Sequence, residues 1–308
     1  MFSVIRNNFK RIQPGIYVFL YHSVYKDINS HPLIYEKVGT SIHRFKEHVE
    51  LFRSRFEVIR ACDIKNILRK KSGSIDKPYA VITFDDGFKD SLENGITELN
   101  KYNIPATLFI CDRCASGHAG LWRFRLFLLL ESDKESAIRL LNKKMNWQGF
   151  DEHQVVAESK DNFSKKIVIS VDELWEEIRG DKEDVDLFAN YDLLKTLDRN
   201  LYEFGSHTTN HPVLSAISYR EAIHEILIGH KAIEEGIGGS INYFSYPFGG
   251  KGHWNSETEK ILNSKPEWSV FSAYGGVNFR YNKRDIKRIG VLDYSVSNIY
   301  KIISRYEP

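Results

Sequence analysis

The run Tyr79-Ala80-Val81-Ile82-Thr83-Phe84 constrains the fold more than any other stretch of this chain. Successive residues of a strand face opposite sides, so a strand with one wet face alternates apolar and polar residues. A nearly continuous apolar run belongs instead to a strand covered on both faces, as in the middle of a parallel sheet. Parallel neighbours need long crossovers, which helices usually supply. The rest of the chain agrees. Residues 16–21 read as a first strand after the Pro14-Gly15 turn, and Ser41 can cap a helix with Ile42, Phe45, Val49 and Phe52 on one face. A short strand at 56–59, helices at 62–70 and 90–101, and a strand at 106–110 entered through Pro105 follow. After residue 200 the alternation resumes, with strands at 201–204, 241–246, 268–272 and 287–292 and helices at 218–235, 256–263 and 297–305.

Residues 113–200 break the pattern: they are charged and helical in period, with Trp122, Phe124, residues 126–130, Val171, Leu174 and Ile178 as apolar stripes. A single α/β barrel over 1–308 carrying this stretch as a helical insertion explains the order better than two adjacent domains. The chain has 308 residues, 42% hydrophobic and 27% charged, enough for a large core and unlike a disordered chain. A formal net charge of +2 without a basic tract argues against nucleic acid as a partner. Three cysteines make no disulfide framework, which fits a reducing compartment. The N-terminal 24 residues hold no apolar stretch long enough for a signal-peptide core or a membrane span. The expectation is a cytoplasmic protein, with peripheral contact at the inner membrane face if its substrate is lipid-linked.

Polar residues cluster where the strands end. Thr83-Phe84-Asp85-Asp86-Gly87 closes the central strand. Two adjacent carboxylates cannot share one face of a regular strand, but Gly87 lets the backbone turn and bring both to the C-terminal rim, where ligands bind in parallel α/β folds. Taken alone, this is equally an ordinary polar turn. Gly205-Ser206-His207-Thr208-Thr209-Asn210-His211-Pro212 follows another strand. Histidines four apart can lie on one face of a helical turn within reach of one ion; Pro212 makes a loop equally plausible. With an aspartate from another strand end they form a two-His, one-carboxylate set suited to hydrolytic Zn2+ or, less often, non-haem iron. Phe244-Ser245-Tyr246-Pro247-Phe248-Gly249-Gly250 ends a third strand, and Tyr21-His22-Ser23 the first. Each signal is weak alone. In a parallel barrel all four ends share one face.

Thr83-Phe84-Asp85-Asp86-Gly87, Ser206-His207-Thr208-Thr209-Asn210-His211 and Tyr246-Pro247-Phe248-Gly249 together resemble the polysaccharide deacetylase family (NodB homology, carbohydrate esterase family 4). Leu20-Tyr21-His22-Ser23-Val24 resembles the branch with a Tyr-His segment ahead of the Asp-Asp-Gly motif, and the likeness runs from residue 16 to residue 292. The resemblance implies a distorted (β/α) barrel of about seven strands. It implies a metal-dependent hydrolase that removes an acetyl group, N-linked by preference, from a sugar in glycan, lipopolysaccharide or capsule biosynthesis. Asp85 would be the general base, and Asp86, His207 and His211 the ligands of a divalent transition metal, Zn2+ first. The turn Tyr246, Pro247 and Phe248 would meet the substrate, the Phe248 N–H facing the oxyanion, and His22 would be the general acid. Many members place an arginine two residues before the motif proline to hold the catalytic aspartate. Here that position is Ser245, and Arg288 or Arg123 is the substitute to look for.

A nucleotide- or lipid-linked sugar is the expected substrate form. Trp122 and Trp147 of the insertion are candidates for stacking on sugar rings, with burial as the competing reading. Cys111-Asp112-Arg113-Cys114 lacks a second pair to complete a zinc site and is read as chance. The alternatives are a catalytically inactive glycan-binding barrel, against which Asp85 argues, and an iron oxygenase, against which the adjacent aspartates argue. A two-carboxylate glycosidase fits poorly, because residues 85 and 86 cannot easily straddle a glycosidic bond at roughly 5 Å or more.

Overall fold

The computed structural model describes residues 11–69, 75–181 and 183–306. Residues 1–10, part of the N-terminal reading, and Lys70, the expected end of a helix, lie outside the described residues. The strands are β1 (Gly15–Tyr21), β2 (Ser23–Tyr25), β3 (Gly39–Ser41), β4 (Glu57–Val58), β5 (Pro78–Phe84), β6 (Ala106–Ile110), β7 (Tyr202–Ser206), β8 (Tyr243–Ser245), β9 (Ser269–Ser272) and β10 (Ile286–Gly290). Neighbours run β1-β10-β9-β8-β7-β6-β5, and β1 pairs back onto β5, closing a parallel barrel of seven strands. The β1–β5 seam is long, in register from Gly15 opposite Pro78 to Tyr21 opposite Phe84. Elsewhere the wall is thin: β7 and β8 share the single pair Ser206 and Phe244. The expected strand over 241–246 is thus only three residues long. Its next residues run into Pro247, which has no N–H for a ladder.

Strand alternation sorts the core. Ile16 and Val18, Tyr79 and Val81, Phe109, Phe271 and Ile286 pack together in one cluster, in the barrel interior. Their neighbours Tyr17, Phe19, Tyr21, Ala80, Ile82, Phe84, Leu108 and Ile110 form the outer cluster, joined by Phe45, Val49 and Phe52 of the helix Ile42–Arg55 and Ile299 and Ile303 of the helix Val296–Ile303. Both faces of β1 and β5 are therefore covered, which is why their sequences are apolar throughout. The Ser41 side chain accepts from the Arg44 N–H as the expected cap.

Between β6 and β7 the described chain is helical, including Trp122–Ser132, Lys134–Met145, Glu152–Asp161 and Lys165–Ile178. Trp122–Ser132 is buried almost all round and forms the centre of this region with Leu141, Val155, Val171, Leu174 and Trp175. Arg125 binds Asp184 at 2.6 Å and Asp172 at 2.8 Å, tying the helices together. The same cluster takes in Phe88, Val213 and Phe248, so the insertion sits against the C-terminal ends of the strands. Among the described residues no helix is long and apolar enough to cross a membrane.

Candidate active site

The inward-facing rows of the barrel end in the candidate residues. On β5 the row Tyr79, Val81, Thr83 continues to Asp85, and on β1 the row Ile16, Val18, Leu20 continues to His22. On β7 the row runs through Gly205, where a Cβ would lie 2.6 Å from the Phe109 ring, to His207. On β10 the residue in step with Ile286 is Arg288, fully buried. Asp86 is out of step with this row. It reaches the rim because its φ is 67° and that of Gly87 79°, a left-handed turn directly after the strand.

The second ligand segment is a loop and not a helical turn. Thr208 and His211 both have positive φ, 71° and 54°, which non-glycine residues rarely adopt. The surroundings enforce it. Glu225 accepts from the Thr209 N–H at 3.1 Å, the Asn210 N–H at 2.8 Å and the Asn210 amide at 2.7 Å. The Thr208 hydroxyl accepts from the His211 N–H at 3.0 Å. Gly229 lets the following helix approach so closely that a Cβ there would lie 2.4 Å from the Thr209 hydroxyl.

Arg288 braces Asp85. Nη1 donates to Oδ1 at 2.6 Å and Nη2 to Oδ2 at 2.8 Å, while Nη2 also reaches the Ser245 hydroxyl at 2.6 Å and Nε the Ser272 carbonyl at 3.1 Å. Of the two substitutes for the missing arginine at position 245, the structure puts Arg288 in contact and leaves Arg123 on the insertion. Burial alone would raise the Asp85 pKa; the charge and hydrogen bonds of Arg288, helped by His207 only when that ring is protonated, outweigh it and hold the carboxyl at about 2. Asp86 has no such partner, and burial together with the Asp85 charge pushes it well above the ordinary value.

Asp86, His207 and His211 each offer an atom, all within 4.8 Å of one another. His207 Nδ1 lies 2.8 Å from the Ser245 carbonyl, which can only accept, so the neutral ring carries its proton there and leaves Nε2 bare. That Nε2 faces Asp86 Oδ1 at 3.5 Å, and His211 Nε2 faces the same oxygen at 3.4 Å. Burial lowers the pKa of both imidazoles, favouring the neutral ligand form. Asp86 Oδ1 is shielded from water and has no hydrogen-bond partner. An orphaned, buried carboxylate oxygen between two neutral imidazoles fits a divalent cation, which would discharge its charge.

His22 lines the same cavity, with its Nδ1 unpartnered. Burial, with Arg288 and His207 adding to it and Asp85 opposing, lowers it to about 4. The cavity measures about 280 Å3 and is also lined by Leu20, Lys37, Lys160, Phe248 and Ala273. A larger cavity of about 440 Å3 lies behind the His211 loop, walled by Asn210, Glu225 and the Lys165–Glu221 pair. The smaller cavity is the one that gathers Asp85, Asp86, His207 and His211, and is therefore the reactive one.

Several expected contacts are corrected. Trp122 cannot stack on a sugar: its ring is buried, packs on Phe163 at 5.5 Å, and its N–H donates to the His211 carbonyl at 3.3 Å. Trp147 stacks on Phe150 within the insertion and does not line the cavity. Tyr246, out of step with inward-facing Ser245, is turned away and stacked on Trp254 at 4.1 Å. Pro247 is buried in the turn, and only Phe248 of the three lines the cavity, with φ 60° and its ring 4.7 Å from that of His211. Cys111 and Cys114 are buried thiols whose pKa burial pushes well up, so both stay protonated.

A closed parallel barrel with a braced carboxylate and an Asp-His-His set on its C-terminal rim has the make-up of a hydrolase. Residues 72–266 match the family model described as polysaccharide deacetylase. The chain belongs to the polysaccharide deacetylase family. Comparison with curated proteins finds no match. Among solved structures, the Streptococcus pyogenes deacetylase PplD in complex with acetate is similar at TM-score 0.62 and 14% identity, over 96% of this chain and 100% of that one. IcaB from Ammonifex degensii gives 0.59 and 17% over 96% and 97%. A de-N-acetylase from Aggregatibacter actinomycetemcomitans gives 0.60 and 16% over 93% and 99%. At these identities the likeness is one of fold.

Proposed function

We propose that this protein removes an N-linked acetyl group from a sugar by metal-assisted hydrolysis. The observation that carries the reading is the pairing of an ionised, braced Asp85 with an orphaned Asp86 between two neutral imidazoles. Asp86, His207 and His211 would hold a divalent cation, Zn2+ by the donor set, which supplies Lewis acidity toward the acetyl carbonyl. Asp85 accepts the proton that water loses as it attacks. Arg288 keeps it ionised and fixes its direction. The Phe248 N–H donates to the developing oxyanion. His22 enters neutral, with room for a proton and none of its own to give. The proton delivered to the leaving nitrogen is therefore the one taken from water: Asp85 passes it to His22, and His22 hands it over. The insertion, which supplies Arg123, Phe124 and Lys160 to the cavity wall, selects the substrate, and a biosynthetic intermediate handled in the cytoplasm is the substrate form we favour.

The test is metal content and acetate release. Wild type should take up about one divalent ion per chain, lost in His207→Ala. Asp85→Asn should keep the ion yet lose about 10²–10⁴ in rate. A wild type that takes up no metal even from excess zinc, and releases no acetate, makes this a barrel that only binds glycans.

A further inference from the structure

The reactive cavity carries positive charge that hydrolysis of a neutral acetamide does not use. Arg123, from Trp122–Ser132, and Lys160, from Glu152–Asp161, line it together with the catalytic carboxylates. Neither carboxylate pairs with these cations: Asp85 is bound by Arg288, and Asp86 faces His207 and His211 in the metal set. Among the described residues neither Arg123 nor Lys160 makes an ion pair, and Asp161 is the acid whose charge is felt at Arg123. Arg123 Nη1 is shielded from water without a hydrogen-bond partner. Its guanidinium lies 5.1 Å from the Phe127 ring and 5.9 Å from that of Phe248, and Lys160 Nζ lies 5.7 Å from the same Phe248 ring.

Packing alone does not account for this. A cation over aromatic rings gains something, but a buried guanidinium nitrogen with no acceptor pays a larger desolvation cost. Phe248 is also the residue whose backbone faces the reacting acetyl group in the reading above, so both cations stand beside the bound sugar. A guanidinium fork offers paired donors matched to phosphate geometry, and the ammonium adds a second point charge. Two cations suit a phosphoryl group better than a single carboxylate.

We propose that the substrate sugar carries a phosphoryl ester, and that Arg123 and Lys160 hold it beside the acetamido group. The assignment rests on the deacetylase reading of this cavity. Nucleotide-linked, lipid-linked and simple sugar phosphates all present this chemistry.

The experiment compares N-acetylglucosamine 1-phosphate with its neutral methyl glycoside, by calorimetric binding and by acetate release from the zinc-loaded protein. Wild type should favour the phosphate by about tenfold or more in Kd and KM, roughly the worth of one charge-assisted hydrogen bond. The preference should shrink in Arg123→Gln and in Lys160→Gln, and added salt should weaken it. Because Arg123 is largely enclosed and its loss can disturb folding, Lys160→Gln gives an independent reading. Equal handling of both sugars by wild type, or a preference undiminished in both variants, overturns the proposal. So does a stronger preference for N-acetylhexosaminuronate than for the phosphate. Phosphate-selective binding without acetate release would keep the subsite and sink the deacetylase reading; acetate released equally from both sugars does the reverse. A further gain with the uridine diphosphate sugar, or with an isoprenyl phosphate sugar, identifies the source of the phosphoryl group.

Discussion

Arg288→Met tests whether the guanidinium from the last barrel strand does the work of the arginine absent at position 245. Methionine keeps much of the buried stem and removes every donor, including both bonds to Asp85 and the one to Ser245. In the intact protein the Asp85 pKa falls from 3.8 to about 2, which corresponds to about 2 kcal/mol of stability. The folded value is the lower one, so this contribution is complete above pH 3.8 and is lost as pH falls toward 2. Without Arg288 the burial that opposes it is left facing only the weaker help of His207 and His22. The carboxyl then rises, and an ionised Asp85 becomes a destabilising group at neutral pH. Breaking a buried pair in this way costs about 3–5 kcal/mol.

Urea unfolding of the chelator-treated protein measures this at pH 7 and again at pH 4.5. The deficit of Arg288→Met should be about 3–5 kcal/mol at pH 7 and should narrow at the lower pH, where the variant takes up the proton and wild type does not. Acetate release should fall by about 10²-fold, the cost of a misplaced reacting group. The double variant Ser245→Arg with Arg288→Ser should recover part of both losses, because the Arg288 tip already lies 2.6 Å from the Ser245 hydroxyl. A deficit below about 1 kcal/mol, the worth of an exposed pair, that does not change with pH would refute the bracing argument.

Two further outcomes follow from groups outside the reacting set. Glu225→Ala removes the acceptor of the Thr209 and Asn210 bonds that hold the His211 loop, and zinc affinity read by chelator competition should drop about 10–100-fold with all three ligands present; unchanged affinity would show that the loop holds itself. His230 is buried, stacked on Trp268 at 3.7 Å, and burial lowers it from 6.5 to about 4. Its contribution of about 3 kcal/mol is complete above pH 6.5 and lost as pH falls to 4, so His230→Phe should unfold with a shallower pH dependence in that window; equal slopes would place the titrating group elsewhere.

How much of this was legible in the chain depends on whether a residue's surroundings are local. The strands at 16–21, 79–84 and 106–110 could be read because both of their faces are buried, and apolar side chains must then appear at every step. Asp85, Asp86, His207 and His211 could be read as a set because strand ends share one rim, and because the motif is distinctive. The phase of β5 already held more: Asp85 is in step with Tyr79 and Val81, which face the interior. The same counting finds Arg288, in step with Ile286, and rejects Tyr246, one step from Ser245. It needs one fact that no single strand carries, namely which face is the inner one, and only closure of the barrel supplies it. Trp122 fails as a sugar platform for a reason visible in sequence: residues 124 and 126–130 are apolar all round the helix, the mark of a buried helix and not of a surface that meets a glycan. Lys160 had no such signal. A lysine on an amphipathic helix looks the same whether its helix faces solvent or the mouth of a cavity, since that difference is made by the docking of one element on another. Strand phase and strand ends therefore locate the chemistry, while the groups that choose the substrate come from helices whose orientation is a tertiary fact.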